Sequence, residues 1–389
     1  MTLFPRAFLL LAAALLPACA LLPLSDPDEG RNPQDPQFDA DYYAQNAKEY
    51  FDGDQFLRAR EQWEQQLKLQ PGNWMAQIGI ASCDFHLGSL ALDRGEIRYA
   101  EDRLGAAHKA AAALWDGKIE ADAAQASNIP VAQWKAALVV AMAARGLSDC
   151  DTLRGRMENQ RSASLGPQDP ARQTLATSAE KLGHSAATRR AEALQLFLRL
   201  DAMGSPTPEA TLNVAELQVA SNDAASGESS FRRWLQVSTS AREFWQKQLE
   251  QCEQEPDQRM REAKRAVVNQ KIQSVRAKRA AVLVRLGNIA YDQGEALLTT
   301  PGAQRDAKQH FSRAVDDLNG AMEAEPARMD VLVKLAQCQG RLGQFELATN
   351  NLERYIRTRS EQADSWDENL NTAFRLKAEF AAHLKKPPQ

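Results

Sequence analysis

Residues able to do chemistry are numerous in this 389-residue chain, but they are scattered. The histidines (His86, His108, His184, His310, His383) have no ligand spacing to one another or to the cysteines. No Gly-x-Gly-x-x-Gly, Gly-Lys-Ser/Thr phosphate loop, Gly-x-Ser-x-Gly elbow or His-Glu-x-x-His occurs. Asp52-Gly53-Asp54 supplies part of a calcium loop without the remaining oxygen ligands, and Gly53 reads better as a helix-hairpin turn. The expectation is therefore a non-enzymatic protein with no metal and no cofactor. One concentrated feature is a basic run, Arg259, Arg261, Lys264, Arg265, Lys271, Arg276, Lys278 and Arg279 against Glu262 alone. Arg261, Lys264, Arg265 and Lys271 are the candidates for a patch that meets anionic partners. The preferred reading is a solvated helix face, partly paired with Glu250, Glu253, Glu255 and Asp257 just before it. The other feature is Cys19, at the end of an apolar run from Ala7 to Leu16.

The elements that would position such residues come from one repeated unit. Leu335-Ala336-Gln337-Cys338-Gln339-Gly340-Arg341-Leu342-Gly343 and Ile80-Ala81-Ser82-Cys83-Asp84-Phe85-His86-Leu87-Gly88 share a frame of large aliphatic, Ala, free, Cys, three free positions and Leu-Gly. Looser copies occupy 138–146, 175–183, 214–222 (with Asn222 for Gly) and 286–294. Each is expected to be a helix packed through aliphatic and small residues and ended by a left-handed cap. A second helix follows: Phe345, Ala348, Leu352 and Tyr355 form one apolar stripe, and Phe56, Ala59, Trp63 and Leu67 another. Pro71 and Pro326 stand nine residues before their aliphatics and stop the preceding helix. Cys83 and Cys338 face the inside of a pair as small hydrophobes, and no disulfide framework emerges.

This pattern resembles the tetratricopeptide repeat (TPR), most strongly over 41–88 and 326–356 and also at 283–294. The resemblance implies an all-α, right-handed α-solenoid of about seven helix pairs with a C-terminal capping helix. It also implies a partner groove lined by first-helix residues at the free positions: Phe85 and His86, with Asn288, Tyr291 and Asp292, and with Gln337 and Arg341.

Met1–Cys19 reads as a signal peptide, since Arg6 supplies a positive start and the apolar run is too short to span a bilayer. Leu16-Pro17-Ala18-Cys19 resembles the bacterial lipobox, which implies cleavage before Cys19 and acylation of it; Ala20 rather than Asp then favours the outer membrane. The alternative is plain secretion, with Ala18-Cys19-Ala20 as a small-x-small site. Residues 20–40 are acidic and proline-rich and form a disordered tether.

The solenoid is placed at 41–362, degenerate over 117–255, with the capping helix and tail at 363–389. An insertion is expected over Ser89–Arg98 and three degenerate pairs over 131–255. Gln258–Asp292 reads as one long helix, interrupted after by Thr300-Pro301-Gly302. The net charge of −4 gives no general case for nucleic acid. The function expected is a scaffold lipoprotein of the bacterial cell envelope, facing the periplasm, that binds envelope proteins or peptides through its groove. The alternatives are a soluble periplasmic chaperone and a murein-active enzyme on an α-superhelix. The last would need a compact catalytic domain, and 41–385 leaves no stretch to house one.

Overall fold

A computed structural model describes residues 39–115, 131–203, 208–361 and 368–384. The signal peptide, Cys19, residues 20–38 of the tether, residues 116–130 and the tail from 385 lie outside them. Thirteen α-helices and no strand occur among the described residues. They fall into two compact units, Met1–Ser221 and Asn222–Gln389.

The first unit holds α1 (Ala40–Asp52), α2 (Phe56–Leu69), α3 (Trp74–Asp93), α4 (Ile97–Trp115), α5 (Val131–Ser164), α6 (Pro170–Ala202) and α7 (Glu209–Ala220). Each packs on the next in sequence, and α3 also reaches α5. The second unit holds α8 (Ala224–Cys252), α9 (Gln258–Leu298), α10 (Gln304–Ala324), α11 (Val331–Arg341), α12 (Phe345–Glu361) and α13 (Glu368–Leu384). Again each packs on the next, with α9 touching α11 and α11 touching α13. This all-α, neighbour-on-neighbour arrangement is that of a solenoid, in which the core grows with chain length.

Side-chain caps start many of these helices. Asp39, Asn73, Asp169, Asp223 and Asp257 each accept a hydrogen bond from a backbone N–H two or three residues on, satisfying a donor the helix cannot. Ends are less uniform than the repeat suggests. Gly343 and Asn222 do take left-handed conformations, φ 77° and 63°. In the α1–α2 turn Asp54 takes that role at φ 59°, while Gly53 stays at −90°.

Gly88, Gly146, Gly183 and Gly294 end nothing; all four lie inside helices. At three of them a different property of glycine is used. A Cβ on Gly88 would stand 2.7 Å from Leu104 Cγ, one on Gly146 2.9 Å from Leu104 Cδ1, and one on Gly294 2.8 Å from Phe311. Leu104 is fully buried because two glycines let α3 and α5 close on it from either side. That burial contributes about 1.5–3 kcal/mol.

Three further expectations are corrected. The supposed insertion over Ser89–Arg98 is mostly helix, since α3 runs on to Asp93 and turns at Gly95, φ 77°. Residues 131–255 carry four described helices rather than three pairs, because nothing between Val131 and Ser164 or between Pro170 and Ala202 breaks the backbone. The copy read at 175–183 is simply the middle of α6. On α13, Leu370, Ala373, Leu376 and Phe380 pack inward as a cap requires, whereas Phe374 and Leu384 are exposed. The long helix over 258–292 is present and extends to Leu298, followed by a turn at Gly302, φ 83°.

Candidate functional site

In the second unit, first-helix residues of two successive repeats meet, because α9 and α11 lie against each other. Arg341, the last residue of α11, donates Nε to Glu295 Oε1 at 2.7 Å and Nη2 to Oε2 at 3.0 Å. Tyr291 stands one helical turn before Glu295 on α9, close enough for its hydroxyl to feel both members of that pair. Lys334 Nζ, two turns before Arg341 on α11, stands 4.0 Å from the centre of the Tyr291 ring. The ring leans on Phe311 of α10, with centroids 5.6 Å apart, which anchors it to the core. Burial, reinforced by Glu295, pushes the tyrosine hydroxyl up to about 12, with Arg341 pulling the other way.

Three candidates complete this face. Asn288 lies half-buried a turn before Tyr291, Asp292 is exposed beside it, and Gln337 is half-buried between Lys334 and Arg341. Amides donate and accept at once, as a peptide group does, so Asn288 and Gln337 suit an extended backbone. Lys334 and Arg341 add cationic donors. Sequence reasoning missed Glu295 and Lys334. The signal was helical spacing, since Glu295 is i+4 from Tyr291 and Lys334 is i−7 from Arg341.

The first-unit candidates sit differently. Phe85 and His86 are buried, not groove-lining: the His86 ring stacks on Phe56 at 4.5 Å and 5°. Burial pushes the His86 imidazole down to about 4, so it packs as a neutral ring. The polar feature of α3 is instead Asp84, 3% exposed, which accepts from Arg60 of α2 at 3.0 Å and Arg103 of α4 at 2.9 Å. That clamp holds three consecutive helices in register. Removing one partner of a buried charge is costly, so this is architecture.

The basic run is substantially occupied by its own surroundings. Arg261 donates to the Glu255 carbonyl at 2.9 Å, Lys264 pairs with the Glu255 carboxylate and Arg265 with Glu253 at 3.3 Å. Lys271 is half-buried and also has a partner. Among the described residues no three His, Cys, Asp or Glu side chains converge on a metal position, and no described helix is long and apolar enough to cross a membrane.

No family model matches the chain, and no curated protein does. Solved structures of TPR domains align at low similarity. The TPR2AB domain of yeast Sti1, in complex with a pHSP90, is 14% identical over 88% of this chain and 98% of its own, with a TM-score of 0.23. The TPR domain of P58(IPK) is 14% identical over 90% and 99%, with a TM-score of 0.18. The all-α fold therefore rests on the chain's own helices.

Proposed function

We propose that this chain is a non-enzymatic, TPR-like scaffold that holds extended segments of other proteins on the α9–α11 face. The observation that carries this reading is the joining of Tyr291, Glu295, Lys334 and Arg341 across two first helices. An aromatic ring fixed in place, with amides and cations around it, is what a peptide-binding surface needs: contact area at small entropic cost and hydrogen bonds at intervals along a backbone. Crosslinking the protein in its own cells, then repeating the capture with Tyr291→Ala and Arg341→Ala, tests this. Partners recovered equally with the folded variants would remove the reading.

The scaffold is a cell-envelope lipoprotein in this proposal, anchored through acylated Cys19 in the outer membrane and facing the periplasm. The support is Leu16-Pro17-Ala18-Cys19, with a proline-rich acidic stretch behind it that cannot bury enough apolar surface to fold alone. At about 3 Å per residue in extended form, that stretch would hold the helices some tens of ångströms from the anchor. Mass spectrometry of the mature N-terminus decides it. A diacylated or triacylated Cys19 is expected; a free N-terminus at Leu21 would mean plain secretion.

A further inference from the structure

The turn between α2 and α3 carries an apolar tip. Leu69, Trp74 and Met75 are 53%, 41% and 51% exposed. Single exposed apolar side chains are ordinary, but three on one turn mark a contact surface. No charged residue occurs from Leu69 to Cys83, and Lys68 just before them donates Nζ back along α2 to Gln65 Oε1 at 3.0 Å.

The turn also satisfies many of its own polar groups. Asn73 Oδ1 accepts from the Ala76 N–H at 3.1 Å, and Asn73 Nδ2 donates to Gln70 Oε1 at 2.8 Å. The Asn73 N–H donates to the Gln70 carbonyl at 3.0 Å. Gln77 Nε2 donates to the Pro71 carbonyl at 3.2 Å, and Pro71 has no N–H to satisfy. Polar groups without partners resist leaving water, so a turn bonded within itself is cheaper to desolvate. Tryptophan, an apolar ring with one N–H donor, suits the boundary between water and lipid.

Helix lengths decide where the tip lies. α1 and α2, of 13 and 14 residues, pack together across the turn at 53–55 and so run antiparallel. Ala40 and Leu69 are therefore at the same end of that hairpin, where the chain from Cys19 leads into α1. α3 and α4, of 20 and 19 residues, repeat the arrangement, which brings Trp115 to this end as well. The residues that follow include Asp116, Lys118, Glu120 and Asp122, a poor cover for an apolar tip.

We propose that Leu69, Trp74 and Met75 insert into the interfacial layer of a lipid bilayer and turn this end of the first unit toward it. The inference rests on the envelope-anchor reading for a bilayer being within reach, and adds which end meets it. Three side chains alone bind weakly. A coil the length of residues 20–39 has an end-to-end distance of about 25 Å, and such a link raises the local concentration to about millimolar, where a weak contact is populated. Full extension of the tether sets the greatest separation from the membrane, and contact through the tip sets the least. Asp39 and Asp41, exposed at this end, offset Lys68, so the attraction is apolar rather than electrostatic.

The test is quenching of tryptophan fluorescence by bilayers of brominated phosphatidylcholine. The full chain, with a histidine tag inserted after Gly30, is held on the vesicles through nickel-chelating lipid, so attachment does not depend on acylation. Mass spectrometry of Cys19 judges the anchor separately, which keeps the two failures distinct. Subtracting the signal of Trp74→Phe isolates Trp74 from the other tryptophans. Trp74 should be quenched by brominated lipid and not by plain lipid. Leu69→Ser combined with Met75→Ser should lower the contact about tenfold or more. Leu57→Ser, an equally exposed leucine at the opposite end of α2, should leave it unchanged, and so should high salt. Circular dichroism verifies that each variant stays folded. No quenching of Trp74 in the tethered protein overturns the proposal, the outcome if another part of the chain or a protein partner covers the tip. Equal loss in Leu57→Ser overturns it as non-specific adhesion, and loss in high salt overturns it as attraction by charge.

Discussion

Arg341 and Glu295 form a two-bonded ion pair across 46 residues of sequence, at 2.7 and 3.0 Å, tying the end of α11 to α9. The arginine side chain is 49% exposed and the glutamate 33%. Water therefore screens the attraction, and the pair adds little to the stability of the fold.

A small stability effect follows from that exposure. Arg341→Ala and Glu295→Gln should each change unfolding free energy by no more than about 1 kcal/mol. Urea denaturation measures it. A loss several times larger would mean that the pair holds α9 and α11 together, and that any binding defect in these variants is secondary to unfolding.

The four described cysteines are free and buried. Burial pushes the Cys338 and Cys150 thiols up to about 12 and raises Cys83 as well. Few thiolates are then present at pH 8, and native-state alkylation should proceed only as fast as the helices open. Cys338→Ala should cost little, since the repeat takes small residues there. Cys338→Phe should overpack the α11 crossing and destabilise by about 1–3 kcal/mol. Rapid labelling of Cys83 and Cys338 in the folded protein would show them outside the helix interfaces.

His86 links stability to pH. Its folded value is about 4 against an ordinary 6.5, so between those limits the unfolded chain binds more protons than the folded one. Stability contributed by the neutral ring is present above about 6.5 and is lost as pH falls toward 4. The full difference is on the order of 3 kcal/mol. Denaturant midpoints at pH 7 and pH 5 for the wild type and His86→Leu test the sign. The variant should lose less stability on acidification than the wild type; parallel losses would place the imidazole in water.

Much of this architecture is readable from residue spacing, and the places where it is not have physical causes. Phe345, Ala348, Leu352 and Tyr355 recur at helical intervals, and the last three are completely buried. Pairs of helices, long α9 and the cap helix follow from such stripes. Leu-Gly is ambiguous, because glycine serves both left-handed caps and close helix approach. Gly343 is the first and Gly88 the second, and only the position of Leu104 on another helix distinguishes them. Phe85 and His86 occupy free positions of the repeat, yet Phe51 and Phe56 surround His86 with rings and draw it inward. Tyr291 and Arg341 were legible as surface candidates. Their meeting was not, since it depends on how far α11 slides along α9, a register that no local pattern encodes.

Partner recovery from the α9–α11 face tests the scaffold reading most directly. The measurement is yield in a pull-down from the protein's own cells, with the triple variant Tyr291→Ala, Gln337→Ala, Arg341→Ala beside the charge reversal of Arg261, Lys264, Arg265 and Lys271 to Glu. Circular dichroism establishes that both stay helical. The face triple should lower recovery roughly tenfold or more, as the loss of a few central contacts does elsewhere. The reversal should lower it less, because Glu253 and Glu255 already occupy that run. Undiminished recovery by a folded triple variant would contradict the account.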